Sequence, residues 1–386
     1  MNRLIPLKGA TPLFFIAVAL LYFAILPKAQ AVIPPPDGGY PGFNTAEGQN
    51  ALFGRTTGLA NTAVGWYSLF SNTDGSYNTG VGAGTLLFNM GDQTTGDGTQ
   101  NTAIGTAALL FNTTGGENTA TGVGALTSNT TGSWNTANGA FTLFNNTTGS
   151  RNTANGEIAG RSNTTGVSNT ANGYQALSSN TTGNSNTANG DSALYTNTIG
   201  SNNTALGSGA GSNVTTADNV ICIGTDGANE SNSCYVSNIF GTFSSGGTAV
   251  FINSDGRLGT VISSRGFKEE IKPMERASEA LFALKPVTFH YKKEIDPAGM
   301  QQFGLVAEDV EKIDPDLVVR DKEGKPYSVR YEQVNAMLLN EFLKEHRKNE
   351  EQQATIARQQ KQIEVLAAGL QKVNTQLIKA AKRTIP

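Results

Sequence analysis

Two apolar periods run along this chain, and they predict two kinds of structure. Asn-Thr pairs begin at 44, 61, 78, 101, 118, 135, 152, 169, 186 and 203, so every step is 17 residues except one of 23. The fourth residue after each Asn is Gly without exception, from Gly48 to Gly207. The eighth is Leu in eight of ten units: Leu52, Leu69, Leu86, Leu109, Leu126, Leu143, Leu177 and Leu194. The eleventh is a second Asn from Asn72 to Asn197, usually within Asn-Thr-Thr-Gly. Such a repeat predicts a β-solenoid over 44–218, each unit one coil. The glycine marks positive φ or close backbone approach, the leucines stack as an apolar column, and the asparagine turns form hydrogen-bonded ladders between coils. At about 4.8 Å per coil, ten coils extend roughly 50 Å. The step of 23 carries a six-residue insertion near Gly91 to Gly98, expected to bulge as a loop. One Leu per coil is a thin core for a lone chain, which favours three chains burying their columns together.

The second period is helical. Ile356, Ile363, Leu370 and Leu377 recur every seven residues, and Leu366, Val373 and Ala380 take the second apolar position of the same heptads. A coiled coil over 348–386 is the expectation, with a single helix folded back on the globular part as the alternative. Between the two periods the pattern changes twice. Residues 219–262 lose the repeat and read as cap and neck, with a turn at Asn253-Ser254-Asp255-Gly256 leading into a strand Leu258 to Ile262. Residues 263–347 alternate short elements: an amphipathic helix over Met274 to Leu284, strands at Val287 to Tyr291 and Gln302 to Val306, a helix Ala307 to Ile313, and a hairpin from Leu317 to Tyr331. The fold class is therefore an all-β repeat fibre, a small α+β domain and a C-terminal helical coiled coil.

Charge separates the same regions. Only seven of the 28 Lys and Arg precede Ser263, and three of those lie before residue 29. An array so poor in cations cannot neutralise phosphates, which excludes nucleic acid as its partner. The N-terminus supplies Arg3 and Lys8, an apolar run from Leu13 to Leu26, and Ala29-Gln30-Ala31. That order describes a secretory signal over 1–31 followed by a Pro-rich linker over 32–43. The apolar run falls short of the roughly 20 residues that span a bilayer, so the expectation is an exported protein with no stable membrane span after cleavage, a retained anchor being the alternative. Export permits disulfides, and Cys222 and Cys234 could close a small loop. No metal-ligand cluster or cofactor motif is visible, and His290 and His346 have no triad spacing.

Over 44–218 the array resembles the Asn-Thr-Ala-x-Gly repeats of phage tail fibres and bacterial surface fibres, and more distantly the β-roll heads of trimeric autotransporter adhesins. The segment from Ser263 carries Ser263-x-x-x-x-Lys268-x-x-Ile271, then Leu284-Lys285-Pro286-Val287-Thr288-Phe289, Phe303-Gly304-Leu305-Val306-Ala307-Glu308-Asp309-Val310, and Tyr331 to Leu339. These motifs resemble the C-terminal intramolecular chaperone domain of endosialidases. That resemblance implies a domain that trimerises, assists folding of the upstream fibre, and cuts itself off with a Ser/Lys dyad. Carried over, Ser263 is the nucleophile, Lys268 the general base, and Ile262–Ser263 the bond broken. The family usually has an acidic residue after the nucleophile and often an Arg two positions before the Lys; here stand Ser264 and Gly266, so Ser264 is a rival nucleophile. Five positions apart on a strand the dyad would face opposite ways, and Gly266 could host the turn that unites it. The functional expectation is a secreted or surface homotrimeric fibre whose chaperone domain is a self-cleaving serine endopeptidase. The alternative is a structural or adhesive fibre with an inert dyad. An unidentified surface or glycan ligand is the remaining candidate partner.

Overall fold

The computed structural model describes residues 40–383; the expected signal segment and residues 32–39 of the linker lie outside the described residues. Contacts divide the chain into two compact units between Phe243 and Ser244. No helix among the described residues is long and apolar enough to cross a membrane.

The first unit is a β-solenoid. Three-residue strands from β1 (Thr45–Glu47) to β12 (Cys234–Val236) lie in chain order in one parallel sheet. The register is that of the sequence repeat: Thr45 pairs with Thr62, Thr119 with Thr136, Thr187 with Thr204. The middle residue of each Thr-Ala-x strand points inward, and Ala63, Ala103, Ala120, Ala137 and Ala188 are fully buried. The sheet runs two strands past residue 218. β11 (Ile221–Ile223) keeps the 17-residue step in register with β10 (Thr204–Leu206), and β12 follows. The pattern hid this because Val220 stands where the repeat has Asn.

The leucine column corrects the thin-core expectation. Leu69, Leu86, Leu109 and Leu126 have no exposed surface within this single chain. Each coil that carries a Leu closes around it together with the middle residue of its strand and a third small residue such as Ala108, Ala125 or Ala176. Burying a Leu is worth about 2 kcal/mol, and here all eight column leucines are buried within the single chain. The column therefore carries no argument for a trimer.

Asparagine satisfies the rest of the interior. Each repeat Asn from Asn44 to Asn203 accepts, through Oδ1, the backbone N–H one coil further on, at 2.8 Å from Asn61 and 2.8 Å from Val220 at the two ends. Its Nδ2 donates to a turn carbonyl, as Asn44 does to Gly58 at 3.0 Å and Asn118 to Gly132 at 2.9 Å. A second ladder links Asn72, Asn89, Asn112, Asn129, Asn146, Asn163, Asn180 and Asn197, each Nδ2 donating to the preceding Oδ1 at 2.7–2.9 Å. Buried amides are costly unless paired, and among the described residues no buried side-chain polar atom lacks a partner. The invariant glycine meets both expectations for it: Gly122 has φ 133°, and a Cβ there would lie 2.3 Å from the Gly139 carbonyl oxygen.

The second unit begins with the antiparallel hairpin β13 (Val250–Ile252) and β14 (Leu258–Thr260). A 3-10 turn Arg265–Phe267 and a 3-10 helix Glu275–Ala283 follow, the latter where an α-helix was expected. β15 (Val287–Phe289) pairs with β16 (Gln302–Gly304), a short α-helix Ala307–Glu311 comes next, and β17 (Val318–Arg320) pairs with β18 (Pro326–Val329). The long helix Tyr331–Arg383 is the last element among the described residues. Its core is small: Val310, Leu317, Val318, Val329, Val334 and Met337. Beyond Lys344 every described side chain of the long helix is exposed. The folded-back alternative thus fails for the heptad stretch, where Ile356, Ile363 and Leu370 stay 58–72 % exposed.

Candidate functional site

The candidate site lies at the start of the second unit, where β14 gives out. Val261 and Ile262 are exposed and the backbone stays extended through Ser264 (φ −65°, ψ 141°). The chain then turns sharply: Phe267 N–H donates to the Ser264 carbonyl at 3.1 Å and Lys268 N–H to the Arg265 carbonyl at 3.2 Å. One 3-10 turn inserted in an extended segment changes which way the following side chains point. Lys268 resumes extended backbone (φ −125°, ψ 137°), and its Nζ donates to Ser263 Oγ at 3.1 Å. Two side chains that a straight strand would hold on opposite faces are thereby in hydrogen-bond contact.

The turn, rather than glycine chemistry, makes this contact. Gly266 does not need positive φ, and a Cβ there would find nothing nearer than Ser264 Oγ at 4.0 Å. Ser264 makes no side-chain capping bond to the turn it precedes. Ser263, Ser264, Lys268 and their neighbours from 261 to 272 are all exposed. His346 faces Glu350 at 3.8 Å on the long helix, and neither histidine bonds to these serines. Among the described residues no His/Cys/Asp/Glu group could hold a metal ion.

The cysteines do not form the expected bridge. Both thiols are free, Cys222 buried and Cys234 exposed. The register explains why: Cys234 pairs with Ile221 while Cys222 pairs with Tyr235, so the two are offset by one residue across adjacent strands. Successive side chains alternate faces, which sends one thiol into the solenoid and the other outward. Burial pushes the Cys222 thiol up, with Cys234 and Asp226 adding to the effect.

A polar cluster that the sequence did not flag ties the 3-10 helix to the long helix. Ser278 is fully buried and its hydroxyl donates to the Glu341 carboxylate. Asn340 Nδ2 donates to Ser278 Oγ at 2.7 Å, and Lys344 Nζ pairs with Glu341 at 2.7 Å. The Lys344 bond, then the Ser278 bond, hold the Glu341 carboxyl below its usual range. Its only sequence signal was a serine within an otherwise apolar helical face.

With this geometry in view, the comparisons are specific to one segment. No curated protein and no solved structure matches the chain. Residues 263–319 match a family model described as chaperone of endosialidase. The matched segment opens on Ser263 itself and closes within β17. A chaperone-of-endosialidase segment placed after a repeat solenoid makes this chain similar, in architecture, to a tail-fibre protein.

Proposed function

We propose that the chain is an exported, homotrimeric surface fibre whose segment from Ser263 to Arg347 drives assembly and then cuts the Ile262–Ser263 bond. The observation that carries this reading is the 3.1 Å contact between Lys268 Nζ and Ser263 Oγ, at the first residue of the matched family segment. In the reaction, neutral Lys268 accepts the Ser263 hydroxyl proton and Oγ attacks the Ile262 carbonyl carbon. The peptide C–N bond breaks, the Ser263 nitrogen takes the proton back from Lys268, and an Ile262 ester on Oγ remains. Water then hydrolyses the ester, which leaves a carboxylate at Ile262 and restores the Ser263 hydroxyl. Ser264, which has no bond to Lys268, is the weaker nucleophile candidate.

A lysine serves as base only without its own proton, and burial or neighbouring cations remove that proton. Lys268 is exposed in the single chain, so cutting is expected to follow assembly that covers the junction. Self-association is supported by what the second unit leaves uncovered. Phe267, Phe282, Phe303 and Phe342 are 65–78 % exposed, and the heptad residues Ile356, Ile363, Leu370 and Leu377 are 58–72 % exposed. Exposed apolar surface on that scale marks an interaction site, and a seam of apolar residues every seven positions is completed by parallel copies of itself.

The test is the mass of the expressed mature chain. Wild type is expected as two fragments separated at Ile262–Ser263, with Ser263→Ala and Lys268→Ala intact. A single full-length mass for wild type overturns the cleavage, and a monomer by sedimentation overturns the assembly. Cutting retained in Ser263→Ala but lost in Ser264→Ala moves the nucleophile.

A further inference from the structure

The one 23-residue step in the array interrupts the solenoid's regular surface and builds a cleft there. Its extra segment is tied down. Asp92 and Asp97 form a bridge, with Asp92 N–H donating to the Asp97 carbonyl at 2.9 Å. The Asp92 carboxylate accepts from the Thr94 hydroxyl at 2.6 Å and the Thr94 N–H at 2.7 Å, bonds that hold its carboxyl below the ordinary range. Gln93 Nε2 donates to the Thr57 carbonyl at 3.1 Å and so fastens the loop across an earlier coil. The loop forms one wall of a cleft of about 420 Å³.

The floor is a column of the residues that immediately precede the repeat Asn in four successive coils: Tyr77, Gln100, Glu117 and Trp134. Each sits at φ 58–60°, and the backbone N–H of each donates to the coil before it at 2.9–3.1 Å. The column is therefore as rigid as the solenoid itself. Tyr77 and Trp134 stand three strand spacings apart, roughly 14 Å, with Gln100 and Glu117 between them. Tyr77 and Trp134 are 61 % and 52 % exposed. Arg151, one coil beyond the cleft, lies 5.4 Å from the Trp134 ring centroid and steadies it without lining the cleft. The Asp97 and Glu117 carboxylates, the Gln100 carboxamide, the Tyr77 phenol and the Trp134 indole N–H make no hydrogen bond within the described residues.

Two aromatic rings bracketing a row of unpaired acceptors and donors suit a ligand that is apolar on its ring faces and hydroxylated around its edge. Sugar rings stack their C–H faces on aromatics, while their hydroxyls donate to carboxylates and both donate to and accept from carboxamides. Two carboxylates and no cation line the cleft, which repels acidic sugars. We propose that this cleft binds a short neutral oligosaccharide, with Tyr77 and Trp134 stacking against its rings and Glu117, Gln100 and Asp97 bonding its hydroxyls. The site is independent of the junction: losing it leaves cleavage at Ile262 unaltered, and Ser263→Ala leaves it intact.

The full chain would first be applied to a printed array of neutral and anionic oligosaccharides. Neutral hits would then be titrated against indole emission in Trp66→Phe, where Trp134 is the remaining tryptophan. The expected result is binding to neutral oligosaccharides, an emission shift on titration, and no binding of sialylated or uronate sugars. Glu117→Ala, and deletion of Asp92 to Asp97 to restore the 17-residue step, are each expected to weaken binding at least about tenfold. Circular dichroism of both variants is expected to match wild type, showing that the solenoid persists. No neutral ligand on the array, a preference for anionic sugars, or unchanged affinity in both variants overturns the assignment.

Discussion

The two units use their leucines and isoleucines in opposite ways. In the solenoid, Leu69, Leu86 and Leu109 are fully enclosed by their own coil, whereas in the long helix Ile356, Leu370 and Leu377 are 62–72 % exposed. The first unit completes its interior within one chain and the second does not. On the proposed function, stability and assembly are separable: substitutions at the solenoid's enclosed positions are expected to act on folding, and substitutions along the exposed heptad seam on association.

The sharpest way to break that separation is at the invariant glycine. Gly122→Ala places a Cβ against the Gly139 carbonyl at a φ that L-residues avoid. It should cost about 3 kcal/mol or more, read as loss of hydrogen-exchange protection in coils around β5 (Thr119–Thr121) and β6 (Thr136–Asn138). Leu109→Ala should follow at about 2–5 kcal/mol by denaturant midpoint, with the sedimentation of the chain unchanged. Ile363→Asp with Leu370→Asp should do the reverse, converting the assembled species to monomer by sedimentation while the array's unfolding midpoint stays within about 0.5 kcal/mol of wild type. If that pair of substitutions lowers the array's midpoint, the units are coupled and the separation fails.

The Glu341 cluster gives a smaller effect with a defined sign. Its carboxyl is depressed, so its stabilising contribution is present above the ordinary glutamate value and lost as pH falls from about 4.5 downward. Exchange protection at residues 334–344 is expected to drop on acidification in wild type and to change less in Glu341→Gln. Smallest of all, Glu270→Ala removes a 3.7 Å pair in which both side chains are more than three-quarters exposed, and should be silent to within measurement.

Much of this was legible because the array repeats its instructions. Thr-Ala strands, the Gly at the fourth position and the two asparagines each state the same local geometry in coil after coil, so the register follows from the sequence. The coil's cross-section does not. Whether Leu109 meets its own coil or another chain depends on how the turns around Ala108 and Asn112 close, and no single-residue pattern encodes that. β11 was hidden because Val220 can donate its backbone N–H to Asn203 Oδ1 without being Asn itself. At the junction, Ser263 and Lys268 were singled out by resemblance to a family motif, and Gly266 does sit at the middle of the turn between them, although that turn places no demand for glycine's positive φ. Because a Cβ fits at 266, Gly266→Arg is sterically open and would supply a cation two residues from Lys268. The Ser278 cluster was invisible because its partners lie 62–66 residues away.

The in-register repeat also has a hereditary consequence. Each coil presents the same Thr, Gly and Asn contacts to the coils above and below, so a duplicated or deleted 17-residue unit leaves two surfaces that still fit. Recombination between similar repeats can therefore lengthen or shorten the solenoid by about 4.8 Å at a time while keeping its register, each coil adding or removing its own share of the stability. Reach is thus a countable trait, open to change between generations while the cleft at Trp134 and the bond at Ile262 are inherited intact.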